Sequence, residues 1–267
     1  MRDILEEIIA HKRIELEQFR QQLGEQELHA EAERMMDDKS ILPSMAESIR
    51  LSSNGIIAEF KRKSPSKGWI KEEGKAESIP LSYQKAGAAA VSILTDSHYF
   101  GGSDSFILKA CQSGVTIPRL YKNFIIDEYQ LFQARICGAT TVLLIAACLS
   151  KEEYRGLLHQ AHNLQMEVLL EMHSEAELAY IDMAMPDLCG INNRNLGTFI
   201  TDVGNSFRLG EKLPAESVKV SESGISSPST ILQLREAGFQ GFLIGECFMK
   251  ESLPDEALKT FIQKLGE

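Results

Sequence analysis

The chain has 267 residues, of which 43% are hydrophobic and 25% are charged, and its formal net charge is -10. These proportions are typical of a soluble protein with a buried core, and they exclude intrinsic disorder and low-complexity fibrous structure. The chain lacks the basic character of general nucleic-acid binders, and no apolar run approaches the roughly 18 residues of a membrane span. Its N-terminus is too acidic for a secretory signal. We therefore expect a cytoplasmic protein with no nucleic-acid or membrane partner.

The first fifty residues have a different pattern from the rest. Leu5, Ile8 and Leu16 recur near helical spacing among charged residues, which predicts an amphipathic helix. Two further stretches of helix-forming sequence follow, at 25–36 and 44–49. We expect residues 1–50 to form a helical extension that packs on the remainder of the chain. A coiled-coil arm is the alternative, although the repeat fades after about three heptads.

From Gly55 onward, short apolar segments alternate with amphipathic ones. Eight segments rich in Val, Ile and Leu have the near-continuous hydrophobicity of strands buried on both faces of a parallel sheet. They lie at 56–61, 89–95, 117–122, 140–147, 166–172, 187–193, 217–223 and 241–246. Eight strand–helix units predict an α/β fold, the eightfold (β/α) TIM barrel, over residues 51–267. An open doubly wound sheet would need a GxGxxG turn after the first strand, and the chain has none.

Residues at several predicted helix ends support this division. Ser150, Ser174 and Ser227 are predicted N-caps, and the Ser174 helix is expected to cover 174–184. Glycines stop three helices just before the next strand, where a left-handed residue is least costly as glycine. These are Gly87, Gly138 and Gly238.

Charged residues interrupt the apolar strands where a barrel would have its mouth. Glu59 and Lys61 alternate with apolar residues in the first strand, so both face the interior, as a structural ion pair or as a working pair. Lys122 ends the third strand and Glu171 ends the fifth. A carboxyl group among leucines should have a raised pKa, so Glu171 could carry a proton near neutral pH. Lys122 and Glu171 are therefore a predicted proton-transfer pair.

Other polar residues suggest an anionic substrate. The loop at 61–68, KRKSPSKG, is either a solvated charge run or a mobile loop that supplies cations. Asn192 and Arg194 after the sixth strand suit a carboxylate or hydroxyl groups, although turn formation would also explain them. Small residues after strands seven and eight occupy the usual phosphate site of such barrels, where backbone N–H groups approach the anion. The residues in question are Glu222, Ser223, Gly224, Gly245 and Glu246.

Cysteine and histidine residues do not indicate a metal site. The five cysteines form no CxxC pair, and the six histidines are dispersed. We expect reduced cysteines in apolar surroundings and no metal.

The ordered series of sequence blocks resembles the indole-3-glycerol-phosphate synthase family of tryptophan biosynthesis. The resemblance covers essentially the whole chain, and sister barrels of the pathway lack the EFKRKSPS and YFGGS blocks together. The blocks are IIAEFKRKSPSKG, VSILTDSHYFGGS, PRLYKNFIID, ATTVLLIAA, LLEMH, GINNRNL, VSESGI and FLIGECFM.

The resemblance implies closure of 1-(2-carboxyphenylamino)-1-deoxyribulose 5-phosphate to indole-3-glycerol phosphate, with loss of CO2 and water and without a cofactor. It implies that Lys122 is the general acid of ring closure and that Glu171 is the acid/base partner for dehydration. Lys61 is an alternative proton source at that step. Glu59 would orient these lysines and contact the substrate.

The resemblance also implies binding roles. Asn192 and Ser223 would position the anthranilate part and the ribulose hydroxyls, and Arg194 would contact the carboxylate. The phosphate would be received by Ser64 and by backbone groups of Gly224, Gly245 and Glu246. The extension would cover the mouth as a lid. We expect a monomer or weak homo-oligomer, and association with other tryptophan-pathway enzymes stays open.

The chain departs from the family pattern beside Lys122. Most members have Arg and Asp around this lysine, whereas this chain has Tyr121 and Asn123. We therefore expect a lower pKa for Lys122 than in relatives with Asp. Two alternatives to the synthase reaction remain. One is a neighbouring barrel such as phosphoribosylanthranilate isomerase, which usually pairs Cys with Asp, and the other is a non-catalytic phosphate-binding relative.

Overall fold

The computed structural model describes residues 4–37, 42–195 and 197–266. The outer bounds of the two predicted units, at 1 and 267, lie outside the described residues. So do residues 38–41 of the predicted extension and Leu196 of the GINNRNL block.

Eight parallel strands form a closed barrel, which confirms the predicted fold. Closure occurs where β1 pairs with β4 on one side and with β10 on the other. A short antiparallel hairpin, β2 (Lys63–Ser64) with β3 (Gly68–Trp69), lies in the loop after β1. The barrel strands are β1 (Ile56–Phe60), β4 (Ala90–Leu94), β5 (Arg119–Lys122), β6 (Thr141–Ile145), β7 (Glu167–Met172), β8 (Leu188–Asn192), β9 (Val218–Glu222) and β10 (Gly241–Ile244). Each lies within a segment predicted as strand.

Alternate residues of each strand belong to two separate cores. Ile57 and Leu169 pack inside the barrel. Their neighbours Ala58 and Leu170 face outward and pack under the surrounding helices. Because side chains alternate along a strand, Glu59 shares the inner face with Ile57. The apolar inner residues thus fill the lower part of the barrel and leave its polar residues near the mouth.

Helices surround the barrel and begin and end largely at the predicted caps. Ser150 Oγ accepts a hydrogen bond from Glu153 N at 3.2 Å, and Ser227 Oγ accepts one from Thr230 N at 3.3 Å. The helices are α4 (Ile79–Lys85), α5 (Ser97–Phe100), α6 (Ser105–Gln112), α7 (Glu128–Cys137), α8 (Lys151–Asn163), α9 (Gly204–Gly210), α10 (Pro228–Glu236), α11 (Glu246–Met249) and α12 (Pro254–Leu265). None of the helices in the described part of the chain is long and apolar enough to cross a membrane.

The predicted helix at 174–184 is wrong. This segment contains a 3₁₀ helix, Glu175–Tyr180, and Ser174 makes no side-chain cap to it. The Glu177 carboxylate instead accepts hydrogen bonds from His173 N at 2.7 Å and from Ser174 Oγ at 2.8 Å. These bonds tie the first turn to the end of β7, and the shorter 3₁₀ repeat fits this short connection.

Three helices precede the barrel: α1 (Ile4–Gln22), α2 (Glu25–Asp37) and α3 (Met45–Leu51). Helix α1 lies over the mouth, because Leu5 and Ile8 line the cavity there. Lys12 of α1 is buried and donates to Asp96 at 2.9 Å. Helix α2 runs along α7, where His29 stacks on Phe132 with ring centroids 3.8 Å apart.

Helix α3 lies across the opposite end of the barrel. Ser48 Oγ donates to Ala89 O at 2.6 Å, just before β4, and Met45 N donates to Glu167 Oε2 at 2.6 Å, where β7 begins. Buried Met45 and Ile49 belong to the same apolar cluster as the barrel interior. The N-terminal helices therefore contact the mouth, one side and the base of the barrel.

Candidate active site

A cavity of about 580 Å³ opens at the C-terminal ends of the strands. One wall is apolar and combines residues of α1 with residues from β4 to β6 and the loops after them. That wall includes Leu5, Ile8, Leu94, Phe124, Leu143 and Ile145. The structure brings all twelve residues that were predicted as site residues to this cavity. They are Glu59, Lys61, Ser64, Lys122, Glu171, Asn192, Arg194, Glu222, Ser223, Gly224, Gly245 and Glu246.

Lys122 lies between two buried carboxylates. Its Nζ is 2.7 Å from Glu171 Oε2 and 2.7 Å from Glu222 Oε2. Lys122 ends β5, Glu222 ends β9 and Glu171 is the last residue but one of β7, and the barrel brings these strand ends together. Burial alone would lower the pKa of Lys122, but the nearby carboxylates of Glu171, Glu222 and Glu59 raise it above its ordinary value. Lys122 is therefore an ammonium group at neutral pH, and both carboxylates accept from it.

The two carboxylates share one cation but differ in their protonation. Burial raises the pKa of Glu222 to about 8, outweighing the effect of Lys122. For Glu171, burial acts in the same direction, but Lys122 and His173 outweigh it and lower the pKa to about 2. The predicted raised pKa of Glu171 is therefore wrong, and Glu222 is the group that holds a proton near neutral pH. Two adjacent buried carboxylates do not both ionise readily, and the more strongly paired one ionises first.

Glu59 and Lys61 form the second ion pair of the mouth. Lys61 Nζ is 2.6 Å from Glu59 Oε1, and Glu59 is only 3% exposed. The backbone at Gly245 leaves the space for this carboxylate. A Cβ at position 245 would lie 2.5 Å from Glu59 Oε1 and 3.0 Å from Glu59 Cβ. The absence of a side chain at Gly245 therefore allows Glu59 to take this position, and Gly245 also lines the cavity.

Gly245→Ala is expected to lower kcat/KM about tenfold or more, because its methyl group displaces Glu59 from Lys61 and small misplacements of reacting groups are costly. The φ of Gly245, −125°, suits any residue, so the effect comes from the added methyl group. Gly156→Ala is the control, since nothing lies within 4 Å of its Cβ and alanine favours the helix there. Steady-state kinetics of both variants check this, and wild-type kcat/KM in Gly245→Ala would contradict it.

Cations and small residues from several loops form the polar rim of the cavity. Arg194 Nη2 is 4.0 Å from Glu246 Oε2, and Lys67 Nζ is 3.8 Å from Glu246 Oε1. The backbone of Arg194 is positioned by the end of β8, because its N–H donates to Asn192 Oδ1 at 2.9 Å. Gly224 has a φ of +78°, and a Cβ there would lie 2.6 Å from Thr201 Cγ2. The rim is thus a tight turn flanked by two cations that face one carboxylate.

Comparison with known proteins identifies the family. The model of the indole-3-glycerol phosphate synthase family matches residues 5–261. The chain belongs to this family. An indole-3-glycerol phosphate synthase of Bacteroides thetaiotaomicron is 52% identical over 265 residues, covering 99% of this chain and 100% of the relative. One of Acidithiobacillus ferrooxidans is 40% identical over 97% of this chain and 98% of the relative.

Solved structures at low identity share the barrel fold. The 3-hexulose-6-phosphate synthase of Salmonella typhimurium superimposes with a TM-score of 0.62 at 11% identity, over 79% of this chain and 98% of that one. A mutant tryptophan synthase alpha-subunit of Pyrococcus furiosus gives 0.60 at 12% identity, over 80% and 98%.

The Asn123 side chain, at the position where the resemblance predicts Asp, makes its hydrogen bonds to residues other than Lys122. Its amide nitrogen donates to Thr95 Oγ1 at 2.8 Å and to Tyr121 Oη at 3.2 Å. Tyr121 in turn donates to Asp104 Oδ1 at 2.8 Å. The raised pKa of Lys122 is set by the carboxylates that it contacts. The lower value expected relative to family members with Asp stays a prediction.

Sequence reasoning missed three features of the site. Glu222 was grouped with the phosphate loop, although its alternation with Val218 and Val220 places it inside the barrel, opposite Asn192 in the β8–β9 register. The residues of the apolar wall have the same sequence pattern as residues of a hydrophobic core, so the sequence did not identify them as part of the site. His173, directly after β7, lies 3.4 Å from Glu171 through its Nε2 and was not singled out.

Proposed function

We propose that this chain catalyses the reaction of its family, in which 1-(2-carboxyphenylamino)-1-deoxyribulose 5-phosphate closes to indole-3-glycerol phosphate with loss of CO2 and water. This reaction is a step of tryptophan biosynthesis. The observation that carries the proposal is the buried Lys122 ammonium, 2.7 Å from both Glu171 and Glu222, in a cavity with one apolar wall and one cationic rim. Such a cavity offers acids, bases and anion-binding groups to a substrate that has an aromatic ring at one end and a phosphate at the other.

The two sides of the cavity orient the substrate. The anthranilate ring packs against Phe124, Leu143 and Ile145, because an aromatic ring gains most from apolar contact. The phosphate lies at the rim with Ser64 and the backbone of Gly224, Gly245 and Glu246. There it replaces the Glu246 carboxylate as the partner of Lys67 and Arg194, so we assign Arg194 to the phosphate rather than to the substrate carboxylate that the resemblance implied. Asn192 and Ser223 hold the ribulose hydroxyls between the two ends.

Ring closure needs a proton at the substrate carbonyl. The electron-rich ring carbon that carries the carboxylate bonds to the carbonyl carbon, and the electron pair of the carbonyl bond moves onto its oxygen. Lys122 donates the proton to that oxygen as general acid. Breaking of the bond to the carboxylate then releases CO2, and its electron pair restores the aromatic ring. Glu59 holds Lys61 beside this centre.

Dehydration needs an acid and a base in the same step. The hydroxyl group made by ring closure leaves as water when it receives a proton, and a carbon-bound proton is lost to form the indole double bond. The pair of Glu171 and Glu222 suits this step because it carries one proton between two carboxylates. Glu171 is the ionised base, and the proton for the hydroxyl comes from Lys61 or from Glu222. One proton is taken up for each CO2 and water released.

A direct assay tests the proposed function. The purified chain is incubated with 1-(2-carboxyphenylamino)-1-deoxyribulose 5-phosphate, and indole fluorescence and CO2 release are followed together. Equal initial rates of both signals are expected. Substrate binding without turnover would instead support a phosphate-binding relative of the family. The absence of both binding and turnover would reject both functions.

We also propose a division into an extension, residues 1–50, that acts partly as a lid and a barrel, residues 51–267. Removing about the first 45 residues would delete the lid but also Met45 of α3, which packs at the barrel base. A substitution in α1 is therefore the sharper test. It leaves the base of the barrel intact.

Ile8→Ala is expected to raise KM about tenfold with a smaller change in kcat. Ile8 is 4% exposed and lines the cavity, and a fully buried isoleucine contributes roughly 1.5–3 kcal/mol. Ile14→Ala is the matched control, because Ile14 is on the same helix and is 57% exposed. Steady-state kinetics and thermal melting of both variants provide the measurement. An unchanged KM in Ile8→Ala would remove the lid role.

A further inference from the structure

His173 lies behind the acid/base cluster. It directly follows β7, and its imidazole has a carboxylate on each side. Nε2 is 3.4 Å from Glu171 Oε1, and Nδ1 is 3.6 Å from Glu177 Oε2. The side chain is 12% exposed, and its ring does not line the cavity. His173 therefore contacts the substrate-facing Glu171 from the side away from the substrate.

The two carboxylates define the protonation state that fits the ring. A neutral imidazole has one N–H and one lone pair, so one carboxylate would face a lone pair. The imidazolium form presents an N–H to each side. Neither ring nitrogen has a hydrogen-bond partner within the described ranges, and a small closing movement toward either carboxylate would supply one. A buried polar group in this position needs such a partner.

The backbone of His173 is fixed independently of its ring. Its N–H donates to Glu177 Oε2 at 2.7 Å, and its carbonyl accepts from Asn205 Nδ2 at 3.1 Å. A substitution of the side chain therefore leaves the chain path after β7 in place. The effect of the ring can be separated from the effect of the loop.

The titratable groups that face the ring come from three elements: Glu171 near the end of β7, Glu177 in the 3₁₀ helix, and Glu222 across the barrel at the end of β9. Burial lowers the pKa of His173, but the adjacent carboxylates of Glu177 and Glu171 outweigh it and raise the pKa above its ordinary value. Lys122 lies beyond Glu171. Glu171 thus has a cation at each of its oxygens, Lys122 at Oε2 and His173 at Oε1.

We propose that His173 is a positioning residue which, as an imidazolium, keeps Glu171 ionised and leaves the proton of the carboxylate pair on Glu222. The inference rests on the proposed function, because it assigns the roles of base and acid in dehydration. Without the ring cation, the two carboxylates become more alike and share the proton more evenly. The base of the reaction is then present in a smaller fraction of the molecules.

NMR of protein labelled with ¹⁵N-histidine tests the charge state without any turnover. The resonances of His173 are assigned by their loss in His173→Asn, and those of His162 by their loss in His162→Asn. Both ring nitrogens of His173 are expected to have the shifts of an imidazolium at pH 7. The shifts of a neutral imidazole at that pH would overturn the proposal, whether or not the chain turns over the substrate.

The kcat–pH profile of His173→Asn tests the coupling to the carboxylate pair. Loss of a cation within 4 Å of a carboxylate raises the carboxylate pKa by about one unit or more. The inflection from the pair, expected near pH 8 in the wild type, should therefore move upward by part of that amount, because the higher proton affinity of Glu171 lets the pair hold its proton to higher pH. His162→Asn is the control, since His162 Nε2 lies 2.8 Å from Asp187 at the outer surface. A purely structural role would lower kcat equally at every pH. Profiles that differ only by such a constant factor, or that coincide, would overturn the proposal.

Discussion

Replacing Lys122 with methionine is expected to lower kcat by a factor of about 10³ or more while substrate binding is retained. Methionine fills a similar volume but cannot donate a proton to the substrate carbonyl. The substrate contacts at the apolar wall and the phosphate rim do not involve the ammonium, so affinity should change less than turnover. Indole fluorescence gives kcat, and calorimetric titration with substrate gives the dissociation constant of the inactive variant.

Lys219→Met is the matched control for this variant. Lys219 is also a buried lysine of a barrel strand, but it donates to Gly210 O at 2.8 Å and does not line the cavity. We expect Lys219→Met to be less stable than the wild type and to keep its kcat. If Lys122→Met retained kcat within tenfold of the wild type, Lys122 would not be the general acid. Equal losses in both variants would indicate a general effect of removing a buried lysine.

Replacing Glu222 with glutamine is expected to lower kcat by a factor of about 10² and to change how stability depends on pH. In the folded chain burial raises the pKa of Glu222 from 4.5 to about 8. Between these pH values the folded state binds more protons than the unfolded state, so stability falls as pH rises. Glutamine does not ionise and removes this contribution. The decrease in Tm from pH 5 to pH 8 should therefore be smaller in Glu222→Gln than in the wild type.

Glu216→Gln is the control for this pH dependence, because Glu216 is an exposed carboxylate just before the same strand. It should behave as the wild type in kcat and in the change of Tm. Parallel Tm–pH curves for the wild type and Glu222→Gln would show that Glu222 is already ionised at neutral pH. The assignment of the proton to Glu222 would then be rejected.

The sequence was sufficient to predict the barrel because each strand is buried on both faces and is therefore continuously apolar. It also placed Glu59, Lys122 and Glu171 at one mouth, since parallel strands bring their C-terminal ends together. The protonation of the carboxylates could not be predicted in this way. It depends on Glu171 and Glu222 contacting the same ammonium, and these residues are 51 positions apart in the sequence.

One other error, the helix predicted at 174–184, has a more local cause. The segment 174–184 has helical periodicity, but the side chain of Glu177 binds the backbone at His173 and favours a 3₁₀ turn. The sequence also did not indicate the contact between Lys12 of α1 and Asp96, which comes from the loop after β4. The local hydrophobic pattern of a sequence does not predict contacts between segments that are distant along the chain.

The N-terminal helices have a consequence for the order of events in turnover. Helix α3 covers the base of the barrel, where Met45 and Ile49 join the interior apolar cluster. The phosphorylated substrate, its product, CO2 and water must therefore all pass through the mouth, past α1, where Leu5 and Ile8 line the cavity. A new substrate cannot enter until the indole product has left by that same route. The lid role proposed for α1 would therefore act on substrate entry and on product release alike.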